Sequence, residues 1–126
     1  MPVTNAGLAI FASLAGNLQT NDIPVYLAFG VGVTPFDNGD VKLADEQYRR
    51  RITLRQLVDS ELRLRFFMTE SDGVGDWTEL GVFFGGTDLL DSGTLALREV
   101  PPGGCAKSAA TTLTQEIRIP ITRAVV

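Results

Sequence analysis

Residues 62–69 alternate between an apolar set of side chains and a second, mostly polar set, and this spacing of two constrains the fold more than any other feature. The first set is Leu62, Leu64, Phe66 and Met68, and the second is Arg63, Arg65, Phe67 and Thr69. Successive side chains of a strand point to opposite faces of its sheet. Residues 62–70 therefore predict an antiparallel strand that buries one face and exposes the other.

Five further segments have the composition of strands, with β-branched or aromatic residues bounded by turn-forming residues. They are 24–33, 50–59, 77–84, 94–100 and 113–125. Glycine, proline, asparagine and aspartate favour turns between them, most clearly at 34–40, 71–76 and 101–104. Pro120 has no N–H to donate to a neighbouring strand, so the last segment is predicted to be an edge strand.

A helix is predicted near the start of the chain, over residues 5–16. Thr4 or Asn5 can cap it by accepting a hydrogen bond from a free N–H of the first turn. Its apolar stripe, with Ile10 on the opposite face, consists of Leu8, Phe11, Leu14 and Ala15.

These elements predict the fold class. A length of 126 residues is typical of one domain, and no linker or internal repeat divides the chain. We expect a single domain over 1–126 that is mainly β (α+β): an antiparallel β-sandwich-like domain over 24–126 with one N-terminal helix.

Charge is unevenly distributed along the chain. Asp22 is the one charged residue in 1–36, and all the others lie in 37–126. A surface with so little charge is either buried as core or covered by a partner. We therefore hypothesise that Leu8, Ile10 and Phe11 contribute to an interface.

The middle of the chain is basic, and the segment after it is acidic. Residues 42–65 carry seven basic and four acidic side chains, whereas residues 66–100 carry seven acidic and one basic. Arg49, Arg50 and Arg51 are interpreted in three ways: as a nucleic-acid patch, as a solvated strand face, or as partners of an acidic surface within or between subunits. The third interpretation places them at an interface.

Several classes of function are disfavoured by composition. The chain has no histidine and a single cysteine, Cys105, so it lacks the usual general base, the Ser-His and Cys-His pairs and a disulfide framework. The acidic turns 37–40 and 72–76 lack the spacing of calcium loops. We expect no enzymatic activity, no cofactor and no metal.

Two kinds of partner are also disfavoured. The net charge of -4 does not favour nucleic acid. The longest apolar stretch, 7–16, is shorter than the ~20 residues of a membrane span. We expect neither nucleic acid nor a membrane as a partner.

The predicted strand 77–84 carries large apolar groups on both faces, which predicts a central strand or one between two layers. Leu80, Val82 and Phe84 would face one side. Trp77, Glu79 and Phe83 would face the other, where Glu79 and Phe83 are interface candidates.

Five pieces of sequence, in their order along the chain, resemble tail-fibre and tail-collar-type proteins of tailed bacteriophages. The match covers nearly the whole chain, and the order of the pieces carries it. They are Thr4–Leu8 (TNAGL), Gly30–Pro35 (GVGVTP), Leu43–Glu46 followed by Arg49 and Arg50, Glu79–Phe83 (ELGVF), and Pro101-Pro102 with Lys107 and an alternating isoleucine strand.

This resemblance implies a structural role in a phage tail or baseplate, as an attachment or adaptor module for a tail fibre. It implies self-association, with a homotrimer as the first expectation, contact with neighbouring tail proteins, and a place in the virion tail after synthesis in the bacterial cytoplasm. The alternative is a carbohydrate- or receptor-binding module of the tail. A platform of surface aromatic residues, for which Trp77 and the tyrosines are the candidates, would favour that alternative.

Overall fold

The computed structural model describes residues 2–10, 23–58 and 61–120, and it confirms a mainly β, antiparallel fold with a short N-terminal helix. Nine strands lie in these ranges. They are β1 (Val25–Gly30), β2 (Glu46–Arg51), β3 (Leu54–Val58), β4 (Glu61–Met68), β5 (Gly75–Trp77), β6 (Glu79–Phe84), β7 (Thr94–Glu99), β8 (Cys105–Lys107) and β9 (Leu113–Pro120).

The strands form two main sheets with a buried apolar layer between them. Sheet A has the order β2-β1-β6-β7, sheet B has the order β3-β4-β9, and β5 pairs with β8. Every pairing is antiparallel. The main core combines side chains of β1, β6 and β7 with side chains of β4 and β9, so the two sheets are packed face to face as in a sandwich.

β4 confirms the alternation that the sequence predicts. Leu62, Leu64, Phe66 and Met68 are buried in the main core, and the residues between them are half-buried or exposed. Its neighbour β9 is an edge strand in sheet B, as Pro120 predicts. Residues 121–125, which the sequence assigns to the same strand, lie outside the described residues.

β6 is central in sheet A and buried on both faces, as predicted. Leu80, Val82 and Phe84 face the main core, and Phe83 belongs to a second apolar cluster on the other side of the sheet. Trp77 does not share the face of Phe83. It lies in β5, ahead of Thr78 and β6, and packs into the main core.

The predicted strand 50–59 is wrong, because the chain changes sheets within it. The N–H of Ile52 donates to the carbonyl of Val25 in sheet A (2.8 Å), and the next N–H, of Thr53, donates to Arg65 in sheet B (2.9 Å). β2 therefore ends at Arg51, and β3 begins at Leu54 in the other sheet. The first predicted strand, 24–33, also ends early, since β1 stops at Gly30.

The helix begins where the sequence predicts. The Thr4 hydroxyl accepts a hydrogen bond from the N–H of Gly7 (2.9 Å) and donates to the carbonyl of Leu95, so it caps the helix and attaches it to β7. Gly7 lies so close to β7 that an added Cβ would come 2.2 Å from the carbonyl oxygen of Ala96. Helical backbone is described at residues 5–10, and the predicted remainder, 11–16, lies outside the described residues.

The predicted orientation of this helix is wrong in its described part. Leu8, assigned to the core-facing stripe, is 58% exposed. Ile10, assigned to the opposite face, packs against the main core. Thr4 and Gly7 fix this orientation, because their contacts with β7 determine which side of the helix faces the sheet.

Candidate interaction surface

The face of sheet A that points away from the main core is covered by two loops of the same chain. A second apolar cluster lies on this face, consisting of Tyr26, Ala28, Leu43, Phe83 and Leu95. Leu43 comes from the loop between β1 and β2 (residues 31–45, the β1–β2 loop). The loop between β6 and β7 (residues 85–93, the β6–β7 loop) is attached to the same region through β2.

A buried carboxylate holds the β1–β2 loop. Glu79 is completely buried at the start of β6. Its Oε2 accepts the N–H groups of Gly32 (2.7 Å) and Asp45 (2.8 Å), and its Oε1 accepts the N–H of Ala44 (2.8 Å). One side chain therefore anchors both ends of the loop.

Arg98 neutralises this carboxylate from β7. Its Nε and Nη2 lie 3.2 and 3.1 Å from Oε1 of Glu79. Its remaining donors reach back into the loop, to Asp40 Oδ2 (3.0 Å) and the carbonyl of Thr34 (2.7 Å). The buried guanidinium therefore attaches the middle of the loop as well as its ends.

A second buried pair holds the β6–β7 loop. Arg49 grips the carboxylate of Glu46 through Nε (2.7 Å) and Nη2 (2.9 Å), and the two side chains are 2% and 0% exposed. Arg49 Nη1 donates to the carbonyls of Thr87 (2.9 Å) and Ser92 (3.1 Å). Glu46 also accepts the N–H of Asp91 (2.9 Å). This pair therefore links β2 to the loop.

The guanidinium of Arg49 also covers two aromatic rings of the second cluster. Its central carbon lies 4.6 Å from the ring centre of Phe83 and 5.2 Å from that of Tyr26. Such cation–π contacts favour arginine over lysine. Arg49 thus packs over the second apolar cluster as well as pairing with Glu46.

These contacts correct the interface hypothesis for three side chains. The side chains of Arg49, Glu79 and Phe83 are buried among groups of their own chain, so these side chains present no surface to another subunit. Ile10 likewise packs on its own core. Leu8 and Arg51 are exposed, Arg50 is half-exposed, and Phe11 lies outside the described residues.

Among the described residues, one ion pair joins the basic segment to the acidic segment. Nη1 of Arg50, in β2, lies 3.8 Å from Oδ2 of Asp72, which is in the turn between β4 and β5. The pKa of Asp72 is held below its usual value, first by the hydroxyl and then by the N–H of Thr69, with Arg50 contributing. In the more buried pair, Arg49 with Glu46, both charges belong to the basic segment. The hydrogen bonds of this pair to the acidic segment involve main-chain and hydroxyl groups, such as the carbonyl of Thr87 and the N–H of Asp91.

The exposed apolar residues of the two loops were not predicted from the sequence. In the β1–β2 loop Val31, Val33 and Val41 are 43%, 72% and 67% exposed. In the β6–β7 loop Leu89 and Leu90 are 73% and 45% exposed. Apolar side chains presented on firmly held loops are typical of a surface that contacts another protein. A charged residue inside an otherwise apolar strand, as Glu79 is, was the available signal that such loops are anchored.

Trp77, Phe29 and Tyr48 form a group of aromatic rings that does not make a platform on the surface. Trp77 is 8% exposed, and its indole N–H donates to the carbonyl of Gly73 (2.8 Å). Its ring lies 5.7 Å from that of Phe29 and 6.4 Å from that of Tyr48. Burial raises the pKa of the half-buried Tyr48, with a smaller contribution from Asp72.

Two features are absent from residues 2–10, 23–58 and 61–120. No group of three or more histidine, cysteine, aspartate or glutamate side chains is arranged to hold a metal ion. No helix there has the length and apolar character needed to cross a bilayer. Comparison with known proteins finds no matching family model, curated protein or solved structure.

Proposed function

We propose that this chain is a structural component of a bacteriophage tail or baseplate, acting as an attachment or adaptor module for a tail fibre. It acts by burying surface against other proteins, so its function needs no catalytic group, cofactor or metal. The proposal places it in the virion tail after synthesis in the bacterial cytoplasm.

The exposed apolar residues on anchored loops carry this proposal. Val33 and Leu89 are among the most exposed large apolar side chains of the described residues. Their loops are anchored by the Glu79–Arg98 and Glu46–Arg49 pairs. A preformed apolar surface loses little conformational entropy on binding, which suits a permanent structural contact.

The proposal that the assembly is a phage tail rests on the resemblance in sequence to tail-fibre and tail-collar-type proteins. Two of the pieces that carry this resemblance, TNAGL and ELGVF, contain residues that stabilise the fold. Thr4 caps the helix on β7, and Glu79 anchors the β1–β2 loop. The resemblance also implies self-association, with three copies as its expectation.

The proposal is tested by incorporation into particles. A phage that lacks the chain is supplied with variants in trans, and purified virions are assayed for the protein by immunoblot. We expect the unaltered chain to be incorporated, and Val33→Lys together with Leu89→Lys to lower incorporation at least tenfold. Val74→Lys is the matched control, because Val74 is a 48% exposed valine outside both loops.

Two results would overturn the proposal. One is absence of the unaltered chain from purified virions. The other is normal incorporation of the double lysine variant, which would show that the two loops are not the contact. The soluble variants are also checked by circular dichroism, so that loss of folding is separated from loss of attachment.

The carbohydrate-binding alternative has no specific support among the described residues. Sugars are commonly held on exposed aromatic rings, whereas Trp77 is buried and Tyr26 lies under Arg49. We therefore propose the structural role alone.

A further inference from the structure

The outer edge of β9 is a row of backbone groups without a neighbouring strand in the described part of the chain. β9 is eight residues long, lies at the end of the order β3-β4-β9, and pairs with β4. On its outer side, the carbonyl of Glu116 receives a 3.4 Å contact from the side-chain amide of Gln115. A free edge of this length is a template for a further strand.

Two hydrogen bonds of β4 show which residues of β9 face this edge. The carbonyl of Arg65 accepts the N–H of Thr53 from the β3 side, and the N–H of Phe67 donates to the Thr53 hydroxyl (3.1 Å). Main-chain direction alternates along a strand, so odd-numbered residues of β4 face β3 and even-numbered ones face β9. Leu64 lies opposite Ile117 in an unshifted register. Odd-numbered residues of β9 therefore face β4, and even-numbered residues face the free edge.

Pro120 agrees with this assignment. It is even-numbered, so its nitrogen faces the free edge, where no N–H is needed for the β4 ladder. The free N–H groups of this edge belong to Thr114, Glu116 and Arg118.

We propose that a second copy of this chain adds its own β9 to this edge, antiparallel and about a two-fold axis at Ile117. Glu116 of each copy then lies opposite Arg118 of the other, and each such pair exchanges two backbone hydrogen bonds. The N–H of Thr114 donates to the carbonyl of Pro120 of the second copy. The two B sheets become one continuous sheet. This contact does not depend on the proposed role in a phage tail.

The charges of β9 select this register. A two-fold axis at Glu116 would place two carboxylates directly opposite each other, and an axis at Arg118 would do the same with two guanidinium groups. An axis at Ile117 places opposite charges together twice. Opposite-charge pairs directly across a sheet are stabilising, and like-charge pairs are destabilising.

The rest of sheet B leaves the free side of Arg118 open to a further carboxylate. Within the chain Arg118 lies opposite Arg63, which is a like-charge pair. Its side chain is 58% exposed and contacts Glu116 (3.0 Å) and Glu61 (3.8 Å) from the same face of the sheet. Glu116 of a second copy would flank Arg118 on the side away from Arg63.

The inner face of the joined sheet is also compatible. Ile117 points into the main core and is 7% exposed. At the two-fold axis it meets Ile117 of the second copy as a directly opposite, closely spaced pair, so the two cores become continuous.

The first experiment is light scattering on the full chain at micromolar concentrations, where we expect twice the monomer mass of 13.6 kDa. Glu116→Arg and Arg118→Glu each turn both cross-copy pairs into like-charge pairs. We expect each variant to weaken dimerisation about tenfold or more. The double variant with both changes restores opposite charges in the same register and should recover the dimer.

Mixing the two single variants is the sharpest test. Glu116→Arg presents two positive side chains and Arg118→Glu presents two negative ones, so a mixture should form the heterodimer while each protein alone stays largely monomeric. Arg51→Glu is the control. It reverses the charge of an exposed arginine in β2, which belongs to the other sheet, and the dimer should persist.

Three results would overturn the β9 pairing. They are a monomeric mass for the unaltered chain, a mass of three copies, and an unchanged dimer after either single substitution at Glu116 or Arg118. A mass of three copies would leave the proposed tail role standing, whereas a dimer with normal virion incorporation would replace the trimer that the resemblance implies.

Discussion

Nη2 of Arg98 lies 3.1 Å from Oε1 of Glu79, and these side chains are 1% and 0% exposed. The pair joins β7 to β6 and, through the N–H groups that Glu79 accepts, joins both strands to the β1–β2 loop. A buried ion pair with all its hydrogen bonds made is more informative about structural specificity than about net stability. Here the specificity is the path of a loop that has no regular secondary structure of its own.

Arg98→Met should lower the free energy of unfolding by about 3 kcal/mol, because it leaves the Glu79 charge buried without its cation. The measurement is urea denaturation followed by circular dichroism. Adding Glu79→Gln to the Met variant should lower stability less than the two single effects combined, since neither charge is then left alone.

Arg63→Met is the matched control for that series. The Arg63 side chain is 34% exposed and pairs with Glu61, so its loss should change stability by less than about 1 kcal/mol. An equal loss in Arg98→Met and Arg63→Met would contradict the role assigned to the buried pair.

Neighbouring arginines should differ sharply when changed to lysine. Arg49→Lys keeps the charge but loses the two-point grip on Glu46 and the coverage of the Phe83 ring, so we expect a loss of about 1–3 kcal/mol. Arg50→Lys affects a half-exposed group 3.8 Å from Asp72 and should cost under about 0.5 kcal/mol. The measurement is thermal unfolding of both variants. A larger loss of stability in Arg50→Lys than in Arg49→Lys would show that Arg49 is not the anchor of the β6–β7 loop.

The sequence predicted the parts of the fold that depend on local pattern. Period-two alternation located β4, and apolar residues on both faces marked β6 as central. The corner at Ile52 and Thr53 was missed because the composition of 50–58 is continuous, and the change of sheet depends on hydrogen bonds to Val25 and Arg65, which are distant in sequence.

The anchored loops were missed for a related reason. Glu79 was recognised as a charge in an apolar strand and assigned to an interface, because its partners at Gly32, Ala44 and Arg98 are 19 to 47 residues away. Sequence alone shows that such a charge needs partners. It does not show whether they lie in the same chain.

Asp72 should contribute to the loss of folding stability at acidic pH. The hydroxyl (2.8 Å) and N–H (3.1 Å) of Thr69 hold its pKa below the usual 3.8. The folded state therefore binds fewer protons than the unfolded state near this pH. The stabilisation is present above about pH 4 and is lost as the pH falls through the lowered pKa.

Asp72→Asn should therefore make stability less dependent on pH between about pH 4 and pH 2. Thr69→Val should act in the same direction, because it removes the main cause of the shift. Urea midpoints measured across this range give the slopes. An unchanged slope in both variants would mean that Asp72 titrates alike in the folded and unfolded chains.

Two residues of the N-terminal helix should differ in how much stability a new charge costs. Ile10 packs against the main core, so Ile10→Lys should lower the free energy of unfolding by about 2 kcal/mol or more, through lost apolar contact and desolvation of the ammonium group. Leu8 is 58% exposed, so Leu8→Lys should change stability by under about 0.5 kcal/mol. The measurement is urea denaturation of the full chain.

Ile10→Leu separates loss of packing from the introduction of charge. It conserves volume and should cost under about 1.5 kcal/mol, less than Ile10→Lys. If Ile10→Lys left the free energy of unfolding unchanged and Leu8→Lys lowered it, the helix would face the core with the side that carries Leu8, as the apolar stripe of the sequence predicts. That outcome would also show that the Thr4 cap does not orient the helix, since the Thr4 hydroxyl could not then bond both Gly7 and Leu95.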